Sequence, residues 1–438
     1  MMNKLTFVLV IMTFFIAETF AEIVGEHQLS PIINQVNKVD IKRTDNFDDL
    51  APFGEAISDK RIVFIDELTH GEQEGFALKS RIVQYLHQHQ GFEVLLLESG
   101  LFDVQQIWQN KKTAIKKSAP GNIFYMYASD ESFIELFDYI DSKREDNPPL
   151  VLAGFDGRLS GELSRQHAVN FIETQSKKFL SHAAVPSTIN SSIDLKFDWR
   201  FYKRYSQEII ERQSSLTDKN LQDNYIKQSY WLYDQLNNIN TLETGYESAQ
   251  YVARLIHGII RIAEVMWGSR RHDEHDLPMA DNVQWLIDHA YPNKKVIVWG
   301  HYIHLNRQGA FQSRYDNLGS LLDKRYADEI YIAHFSGIQG SYREFRDLSV
   351  IPLPELTNTE QQQRLETALL PYFNSATNNK DELRDHNSAL FIDYKNINSD
   401  RAQGMMMFGH EYNALIPVNN WNKHWDGMFM IKHLNPSQ

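Results

Sequence analysis

Four short apolar runs limit what this 438-residue chain can fold into more than any other feature. They are Val63-Phe64-Ile65, Phe92-Glu93-Val94-Leu95-Leu96-Leu97, residues 150–155 and Val296-Ile297-Val298-Trp299. Each is too short for a buried helix and apolar almost throughout, the pattern of a strand covered on both faces. The stretches around them carry helical spacing, as with Phe76, Val83 and Leu86 between 72 and 89. Strands alternating with helices imply an α/β fold, a mostly parallel sheet flanked by helices, because parallel neighbours need long crossovers. The pattern predicts strands at 61–66, 92–97, 150–155, 295–300, 329–335, 389–394 and 412–418. Helices are predicted at 72–89, 104–115, 131–143 and 278–290, the last with Pro278 in its first turn.

Between about 160 and 270 the strand signal disappears. Runs such as Phe197-Asp198-Trp199-Arg200-Phe201-Tyr202 and Tyr230-Trp231-Leu232-Tyr233, with few glycines or prolines, predict several long helices. The chain therefore divides into an α/β core at 22–160 and 271–438 and a large all-helical insertion at 161–270, expected to form a cap over the cleft. Residues 22–60 read as short helices or loops, and 355–387 as helix plus loop. Trp199, Tyr202, Trp231 and Tyr233 fit a packed helix core better than the apolar wall of a binding cleft.

A net charge of −13 argues against general nucleic-acid binding, which needs a basic surface. The absence of cysteine removes disulfides, thiol nucleophiles and thiolate metal ligands. Residues 1–21 read as a secretory signal peptide, with Lys4 ahead of an apolar stretch and Thr19-Phe20-Ala21 as the cleavage site. The mature protein is thus expected to be exported, periplasmic or secreted, without stable membrane insertion. Nucleic acid is not an expected partner.

The chemistry is concentrated where the strands stop. One run ends at Glu67 with His70 beyond, another at Glu98, a third at Asp156, and a fourth at His301 with His304 beyond. If these strands are parallel neighbours, the groups meet at the carboxyl edge of the sheet, where open α/β sheets bind ligands. His70 is the candidate general base for water. Glu67 and Glu98 are expected to orient and tune it, and His301 to share the water or protonate the leaving group. No Gly-x-Ser-x-Gly elbow occurs. Lys79 fits an oxyanion partner or a solvated helix lysine equally well. A carboxylate/imidazole metal site built from Glu67, His70, Glu98, His301 and His304 is the alternative chemistry, although His272-Asp273-Glu274-His275-Asp276 is not a His-Glu-x-x-His motif. A non-catalytic binding protein is the third reading. No cofactor is expected. His87 and His89 read as surface residues.

Over about residues 45–420 the chain resembles the erythromycin esterase family. The resemblance is carried by Asp66-Glu67-Leu68-Thr69-His70-Gly71, Leu97-Glu98, Gly154-Phe155-Asp156 and Met279-Ala280-Asp281-Asn282-Val283-Gln284-Trp285-Leu286. It continues through Val296-Ile297-Val298-Trp299-Gly300-His301-Tyr302-Ile303-His304 with Arg307 beyond, Asn317-Leu318-Gly319, and Tyr412-Asn413-Ala414-Leu415-Ile416 as a closing strand. It implies an α/β core with a helical insertion, metal-independent hydrolysis of a macrolide lactone, and so a small-molecule or cyclic ester substrate as partner. His70 would be the base, beside Glu67, Glu98 and His301, with Lys79, Asp156, His304, Arg307 and Asp276 as substrate-binding residues. Lys79 stands where the family usually has arginine, His275 likewise, Tyr302 replaces an asparagine and Asp66 a glycine, departures that bear on substrate recognition.

Overall fold

The computed structural model describes residues 36–182, 197–239, 244–270, 276–308, 316–353, 365–374, 387–394, 403–408, 414–419 and 423–438. The signal-peptide region, residues 271–275, and Tyr412 with Asn413 lie outside the described residues.

Strands β1 (Val36–Asp40), β2 (Ile62–Glu67), β3 (Phe92–Gly100), β4 (Val151–Asp156), β5 (Lys295–His301), β6 (Ile330–Arg343), β7 (Val350–Pro352), β8 (Ser388–Asp393) and β11 (Gly427–Leu434) form one sheet. Its order is β1-β8-β11-β6-β2-β5-β3-β4, with β7 paired to β6. The six strands from β11 to β4 are parallel, and β1, β8 and β7 pair antiparallel. From β2 the chain moves out to β3 and β4, returns to insert β5 between β2 and β3, and then crosses to β6. That reversal is the topological switch point at which α/β sheets place their ligands.

The mostly parallel α/β fold read from the sequence is observed, with corrections at the margins. β1 lies in a stretch expected to be helix or loop; it carries only two valines and becomes a strand by pairing with β8. β11 escaped because its Met-Phe-Met-Ile run is rich in methionine, which favours helices when read locally. The expected closing strand is observed as β10 (Ala414–Asn419), but it pairs with β9 (Gln403–Phe408) in a separate hairpin, and β11 takes its place in the main sheet. β6 continues well past the predicted 335, to Arg343.

Side chains alternate across the strands. Phe64, Leu96 and Val298 pack on one face, and Ile65, Leu97 and Trp299 on the other. The second face is covered by α1 (Gln73–Gln90), ended by Gly91 in the left-handed region at φ 71°, and α2 (Glu131–Ser142), capped by Asp130. The first face is covered by α3 (Val169–His182), α4 (Trp199–Ile210), α5 (Lys219–Asn237) and α6 (Ala249–Met266), followed by α7 (Asp276–Trp285).

Ile172, Ile209, Leu232 and Ile256 of the insertion share one core with Phe64 and Leu96, so the insertion is a full layer of the molecule. At its contact with β4, a Cβ on Gly258 would lie 2.2 Å from the Gly157 carbonyl oxygen, which permits only glycine there. The helix-core reading holds for Tyr202 and only in part for the other aromatics, since Trp199 and Tyr233 are half-buried and Trp231 is exposed. Tyr202 is buried and stacks on Tyr225 at 5.6 Å, while Trp199 and Trp231 flank Phe197 at 4.7 and 5.4 Å. Among the described residues no helix is long and apolar enough to cross a membrane.

Candidate active site

Register decides which strand-end groups meet. Glu67 of β2 lies directly beside His301 of β5, two positions beyond the paired Ile65 and Trp299, so both continue the face covered by α1. Leu97 pairs with Trp299, which puts Glu98 one step on and on the opposite face, level with Gly300. A Cβ on Gly300 would sit 2.9 Å from Glu98 Oε2, so the glycine makes room for that carboxylate. Two clusters result, one on each side of the sheet edge, with His301 between them.

The first cluster is built on Glu67, which is fully buried. His70 Nδ1–H (2.5 Å) and the Tyr127 hydroxyl (2.7 Å) donate to Oε1, and Lys79 Nζ (3.0 Å) and Trp299 Nε1–H (2.9 Å) donate to Oε2. Burial alone would raise the Glu67 carboxyl, but Lys79 and His70 outweigh it and hold the group at about 2. A carboxylate accepts only, so the His70 nitrogen facing it carries a proton and Nε2 is the nitrogen left for proton transfer. Burial, then Glu67, push the Tyr127 hydroxyl well above 10, so it stays a donor. His70 keeps 8% exposure, with Phe124 edge-on at 4.8 Å, Phe345 edge-on at 5.1 Å and the His301 ring at 4.7 Å.

Glu72 shapes the turn that carries His70. Its Oε1 accepts the Thr69 backbone N–H at 2.5 Å, and burial pushes its carboxyl up to about 8, against the pull of Lys79. It is therefore mostly the neutral acid at pH 7, which leaves Glu67 as the main negative charge facing Lys79.

The second cluster is cationic at its centre. His304 donates from Nδ1 to Asp276 Oδ1 (2.8 Å), and its Nε2 lies 3.5 Å from Glu98 Oε1. Burial lowers the imidazole, but Asp276 and Glu98 overcome it and raise the group to about 9, so it is an imidazolium at neutral pH. Glu98 also accepts the His301 backbone N–H at 2.8 Å. Asp156 binds Arg158, whose Nε–H donates to Oδ2 at 2.6 Å; Asp156 first, then Glu98 and Asp276, raise the guanidinium further, and its side chain stays 44% exposed.

All four strand ends expected to converge do so, but three roles change. Glu98 does not orient His70; it faces His304 across the sheet edge, because adjacent residues of a strand point to opposite faces. Lys79 is neither solvated nor open to substrate. It is fully buried under Phe76, Trp299 and Phe335, at 5.4, 4.9 and 5.4 Å, and acts through Glu67. Arg307 is engaged by Asp323 (2.7 Å) and Asp426 (2.8 Å), which ties the segment after β5 to the helix at Leu318–Tyr326 and to the residue before β11.

Asp66 is also buried, bound to His334 Nδ1 (2.8 Å) and the Phe335 N–H (2.8 Å), so this departure from the family pattern is an internal pair. His87 is half-buried against the Tyr139 hydroxyl at 2.7 Å. Tyr127, Phe124, Phe345, Arg158 and Glu72 were missed. Only the Phe124-Tyr125-Met126-Tyr127 cluster of aromatics offered a local signal.

Both oxygens of Glu67 accept from hydrogen-bond donors, and the two ring nitrogens of His304 face Asp276 and Glu98. Among the described residues no group of three or more His, Asp or Glu side chains is arranged to hold one.

An α/β sheet with a carboxylate-held imidazole at its switch point, walled on one face by a helical insertion, defines the class. The chain matches the erythromycin esterase family over residues 87–401, well over half its length, and belongs to that family. The match takes in Glu98, Asp156, His301 and His304, while Glu67 and His70 lie upstream of it. The putative hydrolase YbfO of Bacillus subtilis (strain 168) is 25% identical over 418 residues, spanning 89% of this chain and 87% of that one. Among solved structures, a succinoglycan biosynthesis protein aligns with a TM-score of 0.69 at 15% identity, covering 95% of this chain and 98% of that one. A Bacillus cereus protein aligns at 0.66 with 17% identity (94% and 98%), and a mutant of the erythromycin esterase EreC in its open conformation at 0.65 with 14% identity (92% and 98%). These three share the fold.

Proposed function

We propose that this protein is a hydrolase that cleaves a carboxylic ester or macrolide lactone with water activated at His70. Family membership and the resemblance to a putative hydrolase support hydrolysis. The observation that carries the mechanism is the Glu67 carboxylate, ionised and held by four donors, which commits the His70 proton to Nδ1. Nε2 then takes a proton from water as its oxygen attacks the ester carbonyl carbon. The acyl carbon–oxygen bond breaks, and the leaving alkoxide receives the proton from the imidazolium. Arg158, whose side chain stays 44% exposed, is the cation of the second cluster open to the developing oxyanion, while His304 is held between Asp276 and Glu98.

Incubation with macrolides of two ring sizes and with simple esters, read by mass spectrometry, tests the reaction as a gain of one water. His70→Ala is expected to lower kcat by about 10²–10⁴. A variant within about tenfold of wild type excludes His70 as the base.

Export to the periplasm or medium belongs to the same proposal and rests on residues 1–21. N-terminal sequencing of the secreted or periplasmic protein is expected to start just after Ala21. Recovery of an uncleaved cytosolic chain would refute it.

A further inference from the structure

Residues 435–438, Asn-Pro-Ser-Gln, lie against the back of the His70 turn. The Ser437 N–H donates to the Gly71 carbonyl at 2.9 Å, and the Arg343 N–H donates to the same oxygen at 3.0 Å. The Gln73 N–H donates to the Asn435 carbonyl at 2.9 Å, and Pro436 bridges Glu72 in antiparallel fashion. Glu74 accepts from Asn435 twice, from the backbone N–H at 2.6 Å and from Nδ2–H at 2.7 Å. Arg343 Nε–H donates to the Ser437 carbonyl at 2.6 Å. The Gln438 N–H donates to Asp130, the residue that caps α2. The fit around Gly71 is close: a Cβ there would fall 1.9 Å from the Arg343 carbonyl oxygen.

These bonds reach the turn that carries His70 and two of the elements that present a group to it, while Glu67 of β2 and His301 of β5 hold the imidazole from the sheet edge. The turn 68–72 carries His70 itself. The stretch ending at Asp130 carries Phe124 and Tyr127, the one edge-on to the imidazole and the other sharing Glu67 with it. The end of β6 carries Arg343 and, two residues on, Phe345. Ser437 is fully buried at the centre of this junction.

We propose that residues 435–438 are a positioning strap, fixing the His70 turn against Arg343 and Asp130 so that the imidazole keeps its place between Glu67, Phe124 and Phe345. This deepens the hydrolase reading and rests on His70 as its base. A displacement of about 1 Å of a catalytic group costs on the order of a hundredfold in rate, so a backbone clamp a few residues from the base acts on kcat without touching substrate.

The test uses the full-length chain and two readouts. The first needs no substrate: the low-field proton NMR signal of His70 Nδ1–H on Glu67, assigned by its loss in His70→Ala. The second is kcat against KM on whichever ester is hydrolysed. Ser437→Pro removes the donated N–H. Ser437→Ala keeps it, and the hydroxyl it loses makes no hydrogen bond. With wild-type near-UV circular dichroism, Ser437→Pro is expected to lose or broaden the signal and to lower kcat by about ten- to a hundredfold at nearly unchanged KM; Ser437→Ala is expected to keep both. An unchanged signal and kcat in folded Ser437→Pro overturns the strap. Should that variant not fold, Asn435→Ala, which removes one of the Glu74 bonds, decides between the same two outcomes. If the wild type gives the signal but hydrolyses no ester, the functional reading fails, and the strap is still decided by the signal.

Discussion

Replacing Lys79 with methionine keeps the length of the side chain and removes the one cation that lies against Glu67 in the dry floor of the site. Nζ is 3.0 Å from Oε2, and both side chains are fully buried. Glu67 is held at about 2 against an ordinary 4.5, a gap worth about 3 kcal/mol of preference for the ionised form. Because the folded-state value is depressed, that stability is fully present above about 4.5 and is lost as pH falls toward about 2. Breaking a buried pair by removing one partner costs about 3–5 kcal/mol, since the remaining charge is stranded.

Urea unfolding at pH 7, followed by tryptophan fluorescence, is therefore expected to show Lys79→Met less stable by about that amount. The kinetic consequence has a definite sign. Without Lys79, the burial of Glu67 goes less opposed and its carboxyl protonates at higher pH. The acid limb of kcat then moves upward to or beyond the ordinary carboxylate range, where the wild type shows no contribution from Glu67. A folded variant that loses less than about 1 kcal/mol and keeps its acid limb would refute the assignment of Lys79 as the counter-ion of Glu67.

Asp276→Asn tests the second cluster. His304 is raised from 6.5 to about 9, so its pairing stabilises the fold fully below 6.5 and that contribution, about 3 kcal/mol, is lost as pH rises through 9. In the variant this alkaline decline in Tm is expected to shrink, and the imidazole to titrate nearer neutrality by NMR; an unchanged titration contradicts the Asp276 assignment. Asp66→Ala removes one partner of the wholly buried pair with His334. It is expected to cost about 3–5 kcal/mol in urea unfolding while leaving KM for any hydrolysed ester within about threefold, ~0.7 kcal/mol. A large KM change would put Asp66 in substrate recognition after all.

Much of the site was legible because its signals are local. An apolar run that stops at a carboxylate or an imidazole places that group at a strand end wherever the strand lies, and Glu67, Glu98, Asp156 and His301 were found that way. Their partners were not legible. Glu98 was matched to His70 because both close strands, but facing depends on the register between β2, β5 and β3, set by pairings more than 200 residues apart in the chain. In sequence Lys79 fits an oxyanion partner or a solvated helix lysine equally well, because nothing near it reports that Trp299 and Phe335 cover it. β1 and β11 were missed for the same reason, since pairing supplied what their own composition did not.

By itself the sequence determined the alternation of strand and helix, the helical stretch between β4 and β5, and the set of acids and imidazoles delivered to one edge of a parallel sheet. These follow from periodicity and side-chain type, which act over a few residues. Tertiary structure alone decided that the edge carries two opposed clusters, that Lys79 and Arg307 are held inside ion pairs, and that residues 435–438 brace the turn bearing His70. Those outcomes depend on which side chains are driven from water together, and burial is a property of the assembled layers rather than of any segment.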